Sequence, residues 1–225
     1  MPEWWTYSLR DFVMFSPRTY YRLLELYNAQ IWPAQVLALA LGVALLVLLR
    51  RDDAWRGRAI AALLAGCWLW VAYGYLLERY TTINWAGRYF AAAFALQGIL
   101  LLVFGVIARR FAFPKPRTPL EHAGLFLFVF AVVFYPLMGP LFGRGWGQAE
   151  LFGVVPDPTA VGTLGLLLLA SERVPWLLLL LPIAWCAMSA ATLWVMASPD
   201  ALLLPASTLL GCGLAMWKTL RVNRR

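Results

Sequence analysis

Histidine is nearly absent from this chain, and acidic residues are few. His122 is the single histidine, and Asp and Glu together number 11 among 225 residues. One histidine cannot build bis-histidine haem ligation, nor serve a Ser–His–Asp set spread over distant apolar runs. His122 sits one turn into an apolar stretch beside Glu121, where ligation of a pigment is the functional alternative to an ordinary interfacial residue. Cys67, Cys186 and Cys212 each stand alone in apolar surroundings, without CxxC or Cys/His spacing. That pattern supports neither a zinc site nor a disulfide framework, and the three read as small buried hydrophobes. HExxH and GxxxxGK[ST] are missing too. No apolar run carries Asp or Glu at its centre, which argues against an ion- or proton-coupled carrier of the usual kind. Neither an enzyme nor a cofactor is expected.

Charge of either sign is scarce. Charged residues make up 13% and hydrophobic ones 62%, with mean hydropathy +0.70. Soluble chains carry about 25% charged residues. Membrane barrel strands alternate in polarity, whereas here the runs are unbroken, as in residues 36–49 and 177–181. The class is a polytopic α-helical membrane protein, with the lipid bilayer as its first partner. The net charge of +8 reads as Lys and Arg gathered in loops on one bilayer face, not as a nucleic-acid surface. The first 30 residues hold Glu3, Arg10, Asp11, Arg18, Arg22 and Glu25 and no apolar core, so no cleavable signal is expected.

Three regions follow. Residues 1–30 form an aromatic interfacial segment, with Trp4, Trp5, Tyr7 and Phe12 near its start. Ser16-Pro17 predicts a helix over 17–30 whose Tyr20, Leu23, Leu24 and Tyr27 share one stripe, as in an amphipathic helix lying at headgroup depth. Residues 31–217 form a seven-helix transmembrane domain, and residues 218–225 a basic cytoplasmic tail. The predicted spans are 31–49, 59–77, 85–107, 118–141, 158–171, 175–197 and 199–217. Thr118-Pro119-Leu120-Glu121 is a capping box with proline at the first helical position. Pro136 and Pro182 predict kinks. Ser198-Pro199 predicts a cap for the last span. Ala62/Gly66, Ala187/Ala191 and Gly211/Ala215 are small pairs that would let helices approach closely.

The fifth span decides the topology. Asp157-Pro158 reads as N-cap and first helical position. Fourteen residues rise about 21 Å at ~1.5 Å each, short of a ~30 Å bilayer core. Charge settles the matter. If the segment crosses, Arg10, Arg18, Arg22, Arg79, Arg88 and Arg144 lie on one side and the other 13 of the 19 Lys and Arg on the opposite side. If it does not, the split is 11 against 8. Crossing segregates charge better, which places the N-terminus outside and the C-terminus in the cytoplasm. The expected location is a bacterial cytoplasmic (inner) membrane.

A helix that starts deep leaves a recess above it, and its first N–H groups would favour an anion or polar ligand. The candidate outer-recess residues are Glu78, Arg79, Asn84, Arg144, Asp157 and Thr159, with Glu150 in the same glycine-rich loop as Arg144. The structural alternative is ordinary: helix-end charges serve as anchors, and Asp157 serves as a cap.

Two stretches carry a resemblance. One is Tyr27-Asn28-Ala29-Gln30-Ile31-Trp32-Pro33-Ala34-Gln35 (YNxxIWPAQ). The other joins Phe152-Gly153 to Pro156-x-Pro158-Thr159 and Thr163-x-Gly165-Leu166-Leu167-Leu168-Leu169-Ala170. With the aromatic second span and Tyr135-Pro136, the chain from about residue 16 onward resembles an uncharacterised bacterial family of multi-pass membrane proteins, a domain of unknown function. The resemblance implies a polytopic helical fold and no particular activity. The expected role is a non-catalytic accessory or scaffold subunit bound to other membrane protein subunits. The alternative is a small-molecule transporter or receptor using the outer recess.

The orientation is testable directly. Single cysteines placed in residues 1–30 of a cysteine-free variant should react with a membrane-impermeant thiol reagent added outside intact cells. Labelling only from the cytoplasmic side would overturn it.

Overall fold

The computed structural model describes residues 14–114, 116, 118–170 and 176–222. The expectations for Trp4, Trp5, Tyr7, Arg10, Asp11, Phe12, Lys115, Arg117, Arg173 and the end of the tail fall outside these residues. The described chain is all-helical. Its elements are α1 (Pro17–Gln30), α2 (Ala34–Arg50), α3 (Arg56–Thr82), α4 (Gly87–Ile107), α5 (Pro119–Leu141), α6 (Pro156–Leu169), α7 (Trp176–Val195) and α8 (Leu203–Val222). Among the described residues, α3, α4, α5 and α7 are long and apolar enough to cross a membrane. α1 and α2 pass that test only as a pair, and they are bent by 89° at the Ile31–Pro33 break.

The strongest sequence signals are realised. Ser16 Oγ accepts from the Thr19 amide and starts α1. Thr118 and Glu121 form both halves of the capping box that starts α5. Pro136 cannot donate to Val132, and the helix widens over Phe130–Phe134 before resuming at Tyr135. The ends of α3 and α4 widen likewise, with the Glu78 amide bonded to the Tyr73 carbonyl and Ala108 to Val103.

Two caps differ from expectation. α6 starts two residues early: Val155 is its N-cap and Pro156 its first residue, so Asp157 does not cap. α8 starts at Leu203, because Ser198 and Asp200 are engaged in side-chain bonds that hold the preceding turn. On the α1 stripe, Tyr20, Leu24 and Tyr27 are buried against the rest of the chain. Tyr27 donates to the Val154 carbonyl (3.2 Å) and packs edge-on against Tyr75.

All fourteen residues of α6 are buried. Four helices reach it. From α3, Trp68 donates to Thr163 Oγ1 at 2.8 Å. From α5, Gly124 faces Gly165. α7 supplies Trp185 and Ser189, and α8 supplies Lys218, which donates to the Leu168 carbonyl at 2.8 Å. The Lys218 contact places a cation where the helix C-terminus is negative. An aromatic ladder of Trp68, Phe94 and Trp185 ties α3, α4 and α7 together beside it.

The loops collect at two ends. At one end Asn28 of α1 donates to the Gly147 and Ala149 carbonyls, and Arg144 reaches Asp200. At the other, Arg56 donates to the Phe113 carbonyl, and Trp176 of α7 donates to Thr219 of α8 at 3.1 Å.

A close backbone-to-backbone helix approach lies outside the small pairs singled out by spacing. A Cβ at Gly165 would stand 2.6 Å from the Gly124 carbonyl oxygen and 2.7 Å from the Phe128 nitrogen, whereas one at Gly66 would meet nothing within 4 Å. Backbone cannot move aside as a side-chain tip can. Gly165→Ala should therefore destabilise by about 1–3 kcal/mol, while Gly66→Ala should leave the melting temperature unchanged. Thermal melts of both variants in detergent check the contrast.

Candidate functional site

The six residues of the expected recess are distributed over four places. Glu78 is exposed and Arg79 half-buried at the end of α3. Asn84 serves its own turn, accepting from the Ala86 amide at 2.9 Å. Thr159 Oγ1 accepts from the Gly153 amide (2.8 Å) and donates to the Val155 carbonyl (2.7 Å), fixing the entry to α6. Gly153 takes φ +77°, which suits a residue without Cβ. Arg144 and Asp157 are the two that lie in one buried polar region.

Arg144 is the hub of that region. Its Nη1 donates to Glu150 Oε1 at 3.0 Å, and its Nη2 donates to Asp200 Oδ2. Its guanidinium carbon lies 4.8 Å from the centre of the Tyr21 ring, a cation–π arrangement. The side chains of Arg144, Glu150 and Asp200 are 9%, 5% and 6% exposed. Ser198 completes the set, donating to Asp200 and meeting Tyr21 Oη at 2.5 Å. One guanidinium thus joins α1, the loop after α5 and the turn between α7 and α8.

Glu150 sits in a hard position for a carboxylate. Burial pushes it well above the usual carboxylate range, the charges of Asp157 and Asp200 push it further, and Arg144 opposes them. Burial alone would lower the Arg144 pKa, but Glu150 and Asp200 outweigh it and raise it, so Arg144 stays charged.

Asp157 is 2% exposed. Trp185 Nε1 donates to its Oδ1 at 2.7 Å and Ser189 Oγ to its Oδ2 at 2.9 Å. The α6 N-terminus offers few of the donors an anion site would use. Pro156 and Pro158 have no N–H, and the Val155 amide is bonded to the Leu151 carbonyl. A groove of about 960 Å³ at this end lies between α1 and the turn after α3. It is lined by Arg18, Arg22, Glu25, Thr82 and Gln148 among others, and by none of the six expected residues.

Sequence spacing missed Tyr21, Trp185, Ser189, Ser198 and Asp200. Only Asp200 carried a usable signal, as an acidic residue between two apolar runs. His122 Nδ1 donates to the Thr118 carbonyl at 2.9 Å, one turn back on its own helix. Among the described residues, no group of three His, Cys, Asp or Glu side chains is placed to hold a metal ion.

The ion cluster sets two expectations. Arg144→Ala leaves two buried carboxylates without their cation and should cost about 3–5 kcal/mol. Adding Glu150→Gln and Asp200→Asn to that variant should recover part of the loss, as measured by thermal melts. Glu150 also gives a pH signature. Its raised pKa means that the native state holds the proton more tightly than the unfolded chain. Stability therefore falls as pH rises from the ordinary glutamate range through the raised value. Glu150→Gln should flatten that part of the melting-temperature profile, and an unchanged slope would contradict the assignment.

No curated protein and no solved structure matches the chain. The match over residues 18–225, nearly the whole chain, places the protein in the family of unknown function DUF6064.

Proposed function

We propose that this chain is a seven-helix protein of the bacterial cytoplasmic membrane and a non-catalytic accessory or scaffold subunit of a larger membrane assembly. The observation that carries the role is how the interior polar groups are spent. Arg144, Glu150, Asp157, Thr159, Thr163 and Asp200 bond one another or neighbouring protein groups. A chain whose buried polarity is used to lock its own loops fits a structural role better than solute passage.

The charge count supports the seven crossings: with seven spans the Lys and Arg divide 6 on one side and 13 on the other. On this reading α6 crosses although it is short, because protein surrounds it and no lipid has to match its length. α8 crosses despite Lys218, whose ammonium is occupied by the Leu168 carbonyl. The bilayer covers the exposed apolar faces, such as Leu37 and Val43 of α2 and Leu180 of α7.

The test is native purification followed by mass spectrometry. Stoichiometric co-purifying subunits are expected. A chain that elutes alone, and whose melting temperature rises with a small solute, would support a transporter or receptor instead.

A further inference from the structure

Asp157 differs from the other carboxylates of its region. Arg144 donates to Glu150 and Asp200, whereas the partners of Asp157 are neutral, an indole N–H and a hydroxyl. Three buried carboxylates against one guanidinium would leave two uncompensated negative charges in an apolar interior. A buried charge without a counter-ion is costly enough that the group takes up a proton instead.

The groups packed around Asp157 supply no second cation. Tyr20 of α1, Tyr75 and Tyr80 of α3, Tyr135 of α5 and Cys186 of α7 are within electrostatic reach of it. All five are neutral near pH 7 in their ordinary state. Glu150, Asp200 and Arg144 are the ionic groups within electrostatic reach.

Room for a water beside the Asp157 donors is also present. A small cavity lies between Tyr20, Tyr75 and Tyr80 on one side and Trp185, Ser189 and Thr192 on the other. It leaves about 10 Å³ for the centre of a water molecule, which is room for one water. Tyr75 is 1% exposed, and among the described residues its hydroxyl makes no close hydrogen bond. The two residues that donate to Asp157 both line this cavity. A water there would satisfy Tyr75 and touch the Ser189 hydroxyl, which already donates to Asp157.

We propose that Asp157 is a reversible proton-binding site, loaded through a single water held between Tyr75 and Ser189. The transfer balances as follows. A hydronium at the water position gives a proton to Ser189 Oγ, and Ser189 passes its own hydroxyl proton to Asp157 Oδ2. Water, an unchanged serine and a neutral carboxylic acid result. Trp185 stays bonded to Oδ1 throughout. The ligand is the proton itself. The inference holds whether or not the chain is a subunit of an assembly.

Infrared difference spectroscopy on the full-length protein in lipid nanodiscs tests this, with pH steps in H₂O and in D₂O. A protonated carboxyl band should grow as pH falls and shift in D₂O. Glu150 contributes its own protonated-carboxyl component, so the band is read in the Glu150→Gln background, where adding Asp157→Asn should remove it. Ser189→Ala, a small change that keeps the carboxyl, should retain the band, move its frequency and slow its deuterium exchange several-fold. Tyr75→Phe should slow the exchange without moving the frequency. Three results would each overturn the proposal. They are no pH-dependent carboxyl band left in Glu150→Gln, a band in Glu150→Gln that survives the addition of Asp157→Asn, or Ser189→Ala leaving both frequency and exchange unchanged.

Discussion

A helix buried on every side must have its polar groups satisfied by protein, and that constraint on α6 shapes the rest of this molecule. Its N-terminus meets the demand partly by subtraction, since two prolines remove two amide donors. The hydroxyls of Thr159 and Thr163 turn back onto the helix or its entry loop. Trp68 donates to one of those hydroxyls, and Trp185 and Ser189 take the Asp157 carboxylate. At the C-terminus an ammonium from α8 fills the last-turn acceptor. The partners come from three helices, so satisfying α6 fixes where α3, α7 and α8 stand.

The ion cluster is the surface consequence of the same arrangement. Glu150 and Asp200 belong to the segments that bring the chain to α6 and to α8. Without a cation between them they would repel across a dry interface. Arg144 resolves this with a planar fork that reaches both carboxylates and still lies over the Tyr21 ring. α1 is thereby drawn onto the bundle, which explains why its aromatic stripe faces inward. Asn28 and Gln35, from the motif leading into α2, strengthen this strap. Asn28 holds the Gly147 and Ala149 carbonyls, and Gln35 donates to the Asn28 carbonyl at 2.5 Å.

Local chemistry was legible in the residues, and long-range polar pairing was not. The Ser16 and Thr118 starts could be read because caps act within three residues. The all-helical class could be read from unbroken apolar runs. The Asp157 start was misread because Asp before Pro is a strong cap signal, yet Pro156 occupies the first helical position two residues earlier. Ser198 was misread for a related reason: its hydroxyl has a stronger use on Asp200 than on a helix amide. The grouping of Arg144 with Asp157 was visible only as a shared end of the bundle. Tyr21, Trp185 and Ser189 gave no signal, since an aromatic or serine on a helical stripe looks the same whether it meets a carboxylate or a methyl group.

The account rests on α6 being the sealed axis of the molecule, with the Arg144 cluster as the seal at one end. Amide hydrogen exchange resolved along the chain measures that most directly. Residues 156–169 should exchange most slowly, at the rate of global unfolding. In Arg144→Ala, residues 146–155 and 196–202 should lose protection first. Exchange in residues 156–169 as fast as in the surface loops of the intact protein would contradict the account.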